Sequence, residues 1–150
     1  MLGILNNEQI DHLLHSQYVG RIGCHAEGIT YVVPVIYVFD GKYIIGHTNL
    51  GMKVNMLRQN PEVCFEIDEV KNMAHWQSAI IWGRYEELSG STALDAMEQL
   101  ATRLMPVMTS ETNQPSHGVF ADQPVSGVYL PVIYRIVITK KTGRFEGGGS

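Results

Sequence analysis

Two runs rich in β-branched and aromatic residues, Thr30 to Phe39 and Lys42 to His47, are separated only by Asp40-Gly41. That dipeptide constrains the fold more than any other feature of the chain. A two-residue Asp-Gly connection folds its flanking strands back on each other, antiparallel and in a narrow choice of register. The same logic extends outward. Tyr18 to Cys24 reads as a strand joined to the first run by the turn Ala26-Glu27-Gly28, and Glu62 to Val70, Ser78 to Leu88 and Gly127 to Lys140 read as three more. Six strands linked mainly by hairpins predict a mostly antiparallel sheet. In 150 residues, a closed or nearly closed barrel removes the exposed edges such a sheet would carry. An open α+β sandwich fits the same pattern.

The helices are peripheral and short. Ile10, Leu13 and Leu14 recur at helical spacing over residues 7 to 15,. Met52 to Gln59 carries Val54 and Leu57 and is stopped by Asn60-Pro61. Thr92-Ala93-Leu94-Asp95 fits a capping box, with Leu94, Met97, Ala101 and Leu104 on one face of a helix ended by Pro106. Residues 106 to 127 hold three of the six prolines and read as a long irregular loop. Loops of that length in a compact domain usually serve function or an interface. Residues 1–146 read as a single domain and Gly147 to Ser150 as a flexible tail.

Charge and composition narrow the function. A net charge of -4 excludes nucleic-acid binding by bulk electrostatics. The apolar runs are too short for a signal segment or a membrane span, so a cytoplasmic protein is expected. The two cysteines, Cys24 and Cys64, lack metal or disulfide spacing and read as free thiols of a reducing compartment. His25, His75 and His117 share no metal-ligand spacing. Arg21 and Arg84 read as interface ion-pair residues or phosphate partners. Glu66 and Asp68 alternate with Phe65 and Ile67 as one polar strand face.

Chemistry concentrates in Tyr43 to Arg58, which includes Gly46-His47-Thr48 and Gly51-Met52-Lys53. A strand ends in hydroxyl-bearing and small residues, a glycine permits close backbone approach, and a lysine opens a helix. Backbone N–H groups at a helix N-terminus, a hydroxyl at Thr48 and an ammonium at Lys53 suit a phosphate. An ordinary strand–turn–helix joint with a solvated lysine fits the same residues, and the spacing matches neither a P-loop nor a dinucleotide fingerprint.

Taken in order, several blocks resemble the pyridoxamine 5'-phosphate oxidase-like family of FMN-binding split β-barrels, closest to its nitroimidazole-resistance branch. They are Gly20-Arg21-Ile22-Gly23, Tyr31-Val32-Val33-Pro34-Val35, Gly46-His47-Thr48 with Gly51-Met52-Lys53, Asn60 to Asp68, Ser78 to Arg84, and Tyr134 to Ile138 with Thr142-Gly143-Arg144. The resemblance implies a six-stranded, mostly antiparallel split barrel and a homodimer with FMN at the subunit interface. Val33, Pro34, Val35 and Ile36 would run beside the flavin ring. His47, Thr48, Gly51, Met52 and Lys53 would receive the phosphate. Trp76, Ser78 and Trp82 would approach from the partner subunit. His47 would lie next to flavin and substrate, although a histidine at a strand end is as readily a packing residue.

The chain departs from the oxidase itself in two places. Gly51-Met52-Lys53 stands where the oxidase has Ser-Arg-Lys, and no arginine- and histidine-bearing substrate motif closes the sequence. The expected activity is therefore FMN-dependent reduction of a small nitroaromatic or quinone acceptor by a reduced nicotinamide. The cofactor carries the redox chemistry. A flavin store or sensor without turnover, and a haem- or deazaflavin-binding relative, are the alternatives.

Overall fold

The computed structural model describes residues 2–107 and 131–147. Its elements are β1 (Leu2–Ile4), α1 (Asn7–Ser16), β2 (Val19–Ala26), β3 (Ile29–Phe39), β4 (Tyr43–Asn49) and α2 (Met52–Gln59), followed by β5 (Glu62–Asn72), β6 (His75–Glu87), α3 (Gly90–Leu104) and β7 (Pro131–Glu146). A 3-10 turn spans Met105–Val107. Most of the expected 106–127 loop, His117 and the first residues of the expected last strand lie outside the described residues.

The hairpins follow from turn chemistry. Glu27 and Gly28 both carry positive φ, 52° and 78°, the signature of a type I′ turn closed by the pair Ala26↔Ile29,. The next hairpin turns one residue later than Asp40-Gly41 predicts. Asp40 N–H donates to the Tyr43 carbonyl, so Gly41, with φ of 98°, and Lys42 are the central residues. The Asp40 carboxylate accepts from the backbone N–H groups of Lys42 and Tyr43 at 2.8 and 2.6 Å. A short acidic side chain thus closes the turn from its first corner.

Six strands close a ring in the order β7-β4-β3-β2-β5-β6, with β6 returning to β7. All their pairings are antiparallel. A seventh strand, β1, adds a three-residue edge on β7, with Leu2↔Glu146 and Ile4↔Arg144. It escaped the sequence reading because three residues carry no periodicity. β7 spans sixteen residues and holds the ring shut, pairing β4 and then β1 on one side and β6 on the other.

The barrel interior holds the largest buried side chains, among them Tyr37, Tyr134, Phe65, Ile22 and Ile81. α1 contributes Ile10, Leu13 and Leu14 to this core, and α2 contributes Val54, Met56 and Leu57. A capping box starts α1, with Asn6 and Gln9 exchanging side-chain-to-backbone bonds at 2.8 Å,.

A second, smaller core lies outside the barrel, where Ala96, Leu100 and Leu104 of α3 cover Ile45 and Ile133. Here the sequence reading needs two corrections. The N-cap of α3 is Ser89, not Thr92, and no side chain caps it. Leu94 is 72% exposed, because the sheet residues beneath the helix select the Ala96-Leu100-Leu104 face instead. Gly147 is buried beside His75, and residues 148–150 lie outside the described residues. No described helix is long and apolar enough to cross a membrane.

Candidate functional site

The β3–β4 ladder is only three rungs long, Tyr37↔Gly46, Val38↔Ile45 and Phe39↔Ile44. Beyond Tyr37 the strands part. β3 continues along β2 as far as Ala26↔Ile29, while β4 continues along β7 to Asn49↔Pro131. The barrel is therefore split along the outer parts of two strands, and Val33 to Ile36 line one lip of the opening. His47 and Thr48 belong to the other, opposite Ile133 and Val132 of β7.

Register fixes which backbone groups face the gap. Tyr37 N–H donates to the Tyr18 carbonyl at 3.1 Å, so odd-numbered β3 residues exchange hydrogen bonds with β2 and even-numbered ones turn theirs toward β4. Val33 and Val35 spend their backbone groups on β2. Pro34 and Ile36 turn theirs to the split, and Pro34, lacking an N–H, forfeits no ladder bond there. The side chains alternate too: Val35 is buried, while Pro34 and Ile36 are exposed.

After β4, the chain enters α2 through Gly51, which has an extended backbone and supplies no side-chain cap. The first turn of α2 has no acidic residue, so its N–H groups and the positive end of the helix dipole meet no side-chain anion from this helix. Lys53 sits in that turn, half-buried, and makes no ion pair among the described residues. Burial pulls its ammonium below the ordinary lysine range, and the Cys24 thiol nearby opposes that shift. Burial raises Cys24 in turn, with Lys53 opposing. The Thr48 hydroxyl reaches only its neighbour's carbonyl, Asn49 O, at 3.4 Å. A half-buried cation beside an uncapped helix N-terminus has the chemistry that suits an anion.

The β6 residues stand elsewhere. Trp76 and Ser78 pair with Glu146 and Arg144 at the far end of β7, whereas His47 pairs with Ile133. That separation is roughly 40 Å of strand contour at ~3.3 Å per residue. Trp76 borders a cleft of about 560 Å³ with His12, His75, Gln77 and Phe145. Trp82, 37% exposed, borders a different cleft of about 690 Å³ on the outer face of β2, β5 and β6, with Arg21, Gly23, Cys64, Glu66 and Arg84. The structure thus sets Val33–Ile36 on one lip of the split and His47 and Thr48 on the other, with Gly51, Met52 and Lys53 in the connection from β4 into the first turn of α2. Within one chain it does not bring Trp76 or Ser78 to them.

One constellation escaped the sequence reading. The β2–β5 register sets Arg21 opposite Glu66, and one guanidinium nitrogen of Arg21 serves two acids, Glu66 Oε1 at 3.7 Å and Asp68 Oδ2 at 3.4 Å. Burial first, and the neighbouring Asp68 second, push Glu66 up to about 7, against the pull of Arg21. Alternation along β5 already placed both acids on one face. Only the strand register supplied the shared arginine.

The pyridoxamine 5'-phosphate oxidase family model matches residues 6–145 of this chain. An uncharacterized protein of Rhizobium meliloti is 22% identical over 148 residues, covering 97% of this chain and 96% of its own length. Among solved structures, a FAD-binding protein of Mesorhizobium loti superposes with a TM-score of 0.79 at 24% identity, over 98% of each chain. A candidate 5-nitroimidazole antibiotic resistance protein of Bacteroides thetaiotaomicron superposes with a TM-score of 0.70 at 16% identity, over 97% of this chain and 87% of that one. The split antiparallel barrel is the fold they have in common.

Proposed function

This chain belongs to the pyridoxamine 5'-phosphate oxidase family, and from that premise we propose that it binds FMN in the β3–β4 split and uses it to reduce a small acceptor. The observation that carries the reading is a coincidence of three features at one opening. A strand edge is left out of its ladder, a helix N-terminus is uncapped, and a half-buried lysine has no ion pair among the described residues.

The residues present fit the cofactor. The first-turn N–H groups of α2, the ammonium of Lys53 and the hydroxyl of Thr48 suit the three acceptor oxygens of a phosphate monoester. The β3 edge offers the Ile36 N–H and C=O and the Pro34 C=O, a donor and acceptors in one row, as a flavin ring edge requires. A single lysine matches one phosphate better than the pyrophosphate of FAD. When bound, the flavin supplies electron transfer that no side chain here provides. His47 orients the acceptor at the mouth of the split and holds a proton for it. The β6 residues Trp76, Ser78 and Trp82 serve the site of a second subunit, which makes the working unit a homodimer with FMN at its interface. The acceptor is a nitroaromatic or quinone, and a reduced nicotinamide is the donor.

The first test is an absorbance spectrum of the purified protein, with the released chromophore identified by mass. Bands near about 370 and 450 nm with an FMN mass support the reading. An FAD mass corrects the cofactor, and a Soret band replaces flavin with haem. A colourless protein that takes up no added flavin overturns the proposal. Bleaching of bound flavin by NADH or NADPH separates a reductase from a store or sensor.

A further inference from the structure

On the reading that a flavin occupies the β3–β4 split, the register of the strands also indicates what keeps that split available. We propose that Pro34 is a positioning residue of the site. It blocks β3 and β4 from pairing along their outer parts and so holds the β3 edge open for a ligand.

Pro34 is the sixth of eleven residues in β3, a place where proline is tolerated only if one side of the strand is an edge. The other prolines among the described residues stand at the ends of elements or in a turn: Pro61 before β5, Pro106 in the 3-10 turn and Pro131 at the start of β7. The β2–β3 ladder runs through Pro34 without a shift, from Val19↔Ile36 by way of Arg21↔Pro34 to Ala26↔Ile29. Register explains why that side is undisturbed. Tyr37 donates to β2, so Arg21↔Pro34 is a non-hydrogen-bonded pair, and the proline nitrogen points away from β2.

On the other side that nitrogen points into the split. The β3–β4 register is constant over Tyr37↔Gly46, Val38↔Ile45 and Phe39↔Ile44, and the Asp40–Tyr43 bond at the turn belongs to it. Continued outward, it would set Ile36 opposite His47 and then Pro34 opposite Asn49, the second as a hydrogen-bonded pair. Such a pair needs an N···O distance of about 2.9 Å. A ring carbon stands where the Pro34 hydrogen would be, so the Asn49 carbonyl cannot approach without overlap and would find no donor. Asn49 is not diverted by β7 either. Its pair with Pro131 is a non-hydrogen-bonded one, because odd-numbered β4 residues turn their backbone groups toward β3. Pro34 and Asn49 are both exposed. Lips free to zip together would compete with a ligand for the same backbone groups, and apparent affinity falls with the fraction of molecules whose site is open.

The test is amide hydrogen exchange of the full-length chain without ligand, read by NMR and paired with fluorescence titration of FMN. In the wild-type protein the Asn49 amide is expected to exchange rapidly. Pro34→Val supplies the missing donor and should slow that exchange about tenfold or more, the scale of one or two backbone hydrogen bonds. FMN binding should weaken by a similar factor. Combining Pro34→Val with Asn49→Pro moves the block to the opposite lip. The amide at position 34 is then expected to return to rapid exchange, with most of the FMN affinity restored. The amides of Val33 and Val35, which face β2, should stay protected throughout and establish that each variant is folded. An Asn49 amide already protected in the wild type, or equally rapid exchange in Pro34→Val, overturns the proposal. Slowed exchange with unchanged FMN affinity overturns the positioning role. Slowed exchange relieved in the double variant, in a protein that takes up no FMN, supports the role of Pro34 in the split and overturns the flavin reading alone.

Discussion

Gly46 and Tyr134 face each other across the β4–β7 ladder, and a Cβ built on Gly46 would stand 2.3 Å from the Cζ and Oη of that tyrosine. The phenol occupies the space where any side chain at position 46 would begin. Gly46 is also the last residue through which β4 touches β3, so the close contact lies at the root of the split. Gly46→Ala should force the Tyr134 ring or the β4 backbone aside and cost ~1–3 kcal/mol, the usual range for overpacking a filled core. Chemical denaturation read by tyrosine fluorescence measures the loss. Wild-type stability in this variant would show that the ring moves freely.

Lys53 should trade stability for ligand affinity. Its ammonium is held half-buried without an ion pair among the described residues, and burial already lowers its proton affinity. Lys53→Met is expected to leave the apo melting temperature unchanged or raised. The same change should weaken FMN binding about 10- to 100-fold, matching a charge-assisted bond of ~1.5–3 kcal/mol. Calorimetric melts paired with fluorescence titration of FMN check both halves. Undiminished affinity would place the phosphate elsewhere.

Trp76 pairs at the far end of β7 from His47, so on the proposed dimer its effect should complement that of Lys53 between subunits. Lys53→Ala and Trp76→Ala homodimers should each bind FMN weakly. Unfolding and refolding them together should regain a fraction of tight sites, because a mixed dimer concentrates both defects in one site and leaves the other whole. Titration of the mixture should then show two affinity classes. A single weak class would mean that Trp76 does not serve the partner's site.

Glu66 should make stability fall as pH rises toward neutrality. Its folded-state pKa, raised to about 7 from 4.5 chiefly by burial, exceeds the unfolded value. The native state therefore binds more protons across that interval. Stability is greatest below about pH 4.5 for this group and declines until pH passes 7, where the slope ends. Other carboxylates superimpose their own slopes, so the informative quantity is the difference from Glu66→Gln. The wild-type minus variant difference in melting temperature should decrease between pH 5 and 7,. A difference independent of pH would show that Asp68 takes the shared proton instead.

Much of this architecture is written in short stretches of chain. Glu27-Gly28 and Asp40-Gly41 turn their hairpins because glycine accepts positive φ and the Asp40 carboxylate satisfies the turn amides. Asn6 and Gln9 start α1 by a bond pair three residues apart. Gly51-Met52-Lys53 announces an uncapped helix end with a cation. Each is decided by groups within a few residues of one another, and those interactions exist wherever the segment lies.

Other features had no local signal. β1 exists only because β7 offers an edge more than 130 residues later. The buried face of α3 is chosen by Ile45 and Ile133 beneath it, which is why Leu94 points to solvent despite its helical spacing. Arg21 meets Glu66 and Asp68 only through strand register, while Arg84, the same residue type on a similar strand, makes no such pair among the described residues.

The sequence by itself determined the six barrel strands, their hairpin turns, the peripheral helices and the candidate phosphate residues. Turn geometry, periodicity and helix ends are local properties of the backbone. The tertiary structure alone decided where the barrel opens. β4 leaves β3 after Gly46 but stays paired with β7 along its opposite edge as far as Asn49, which leaves its β3-facing edge without a ladder there. That divergence, set by pairings between distant segments, puts Pro34 and Ile36 on one side of a gap and Thr48 on the other, while Trp76 pairs at the far end of β7.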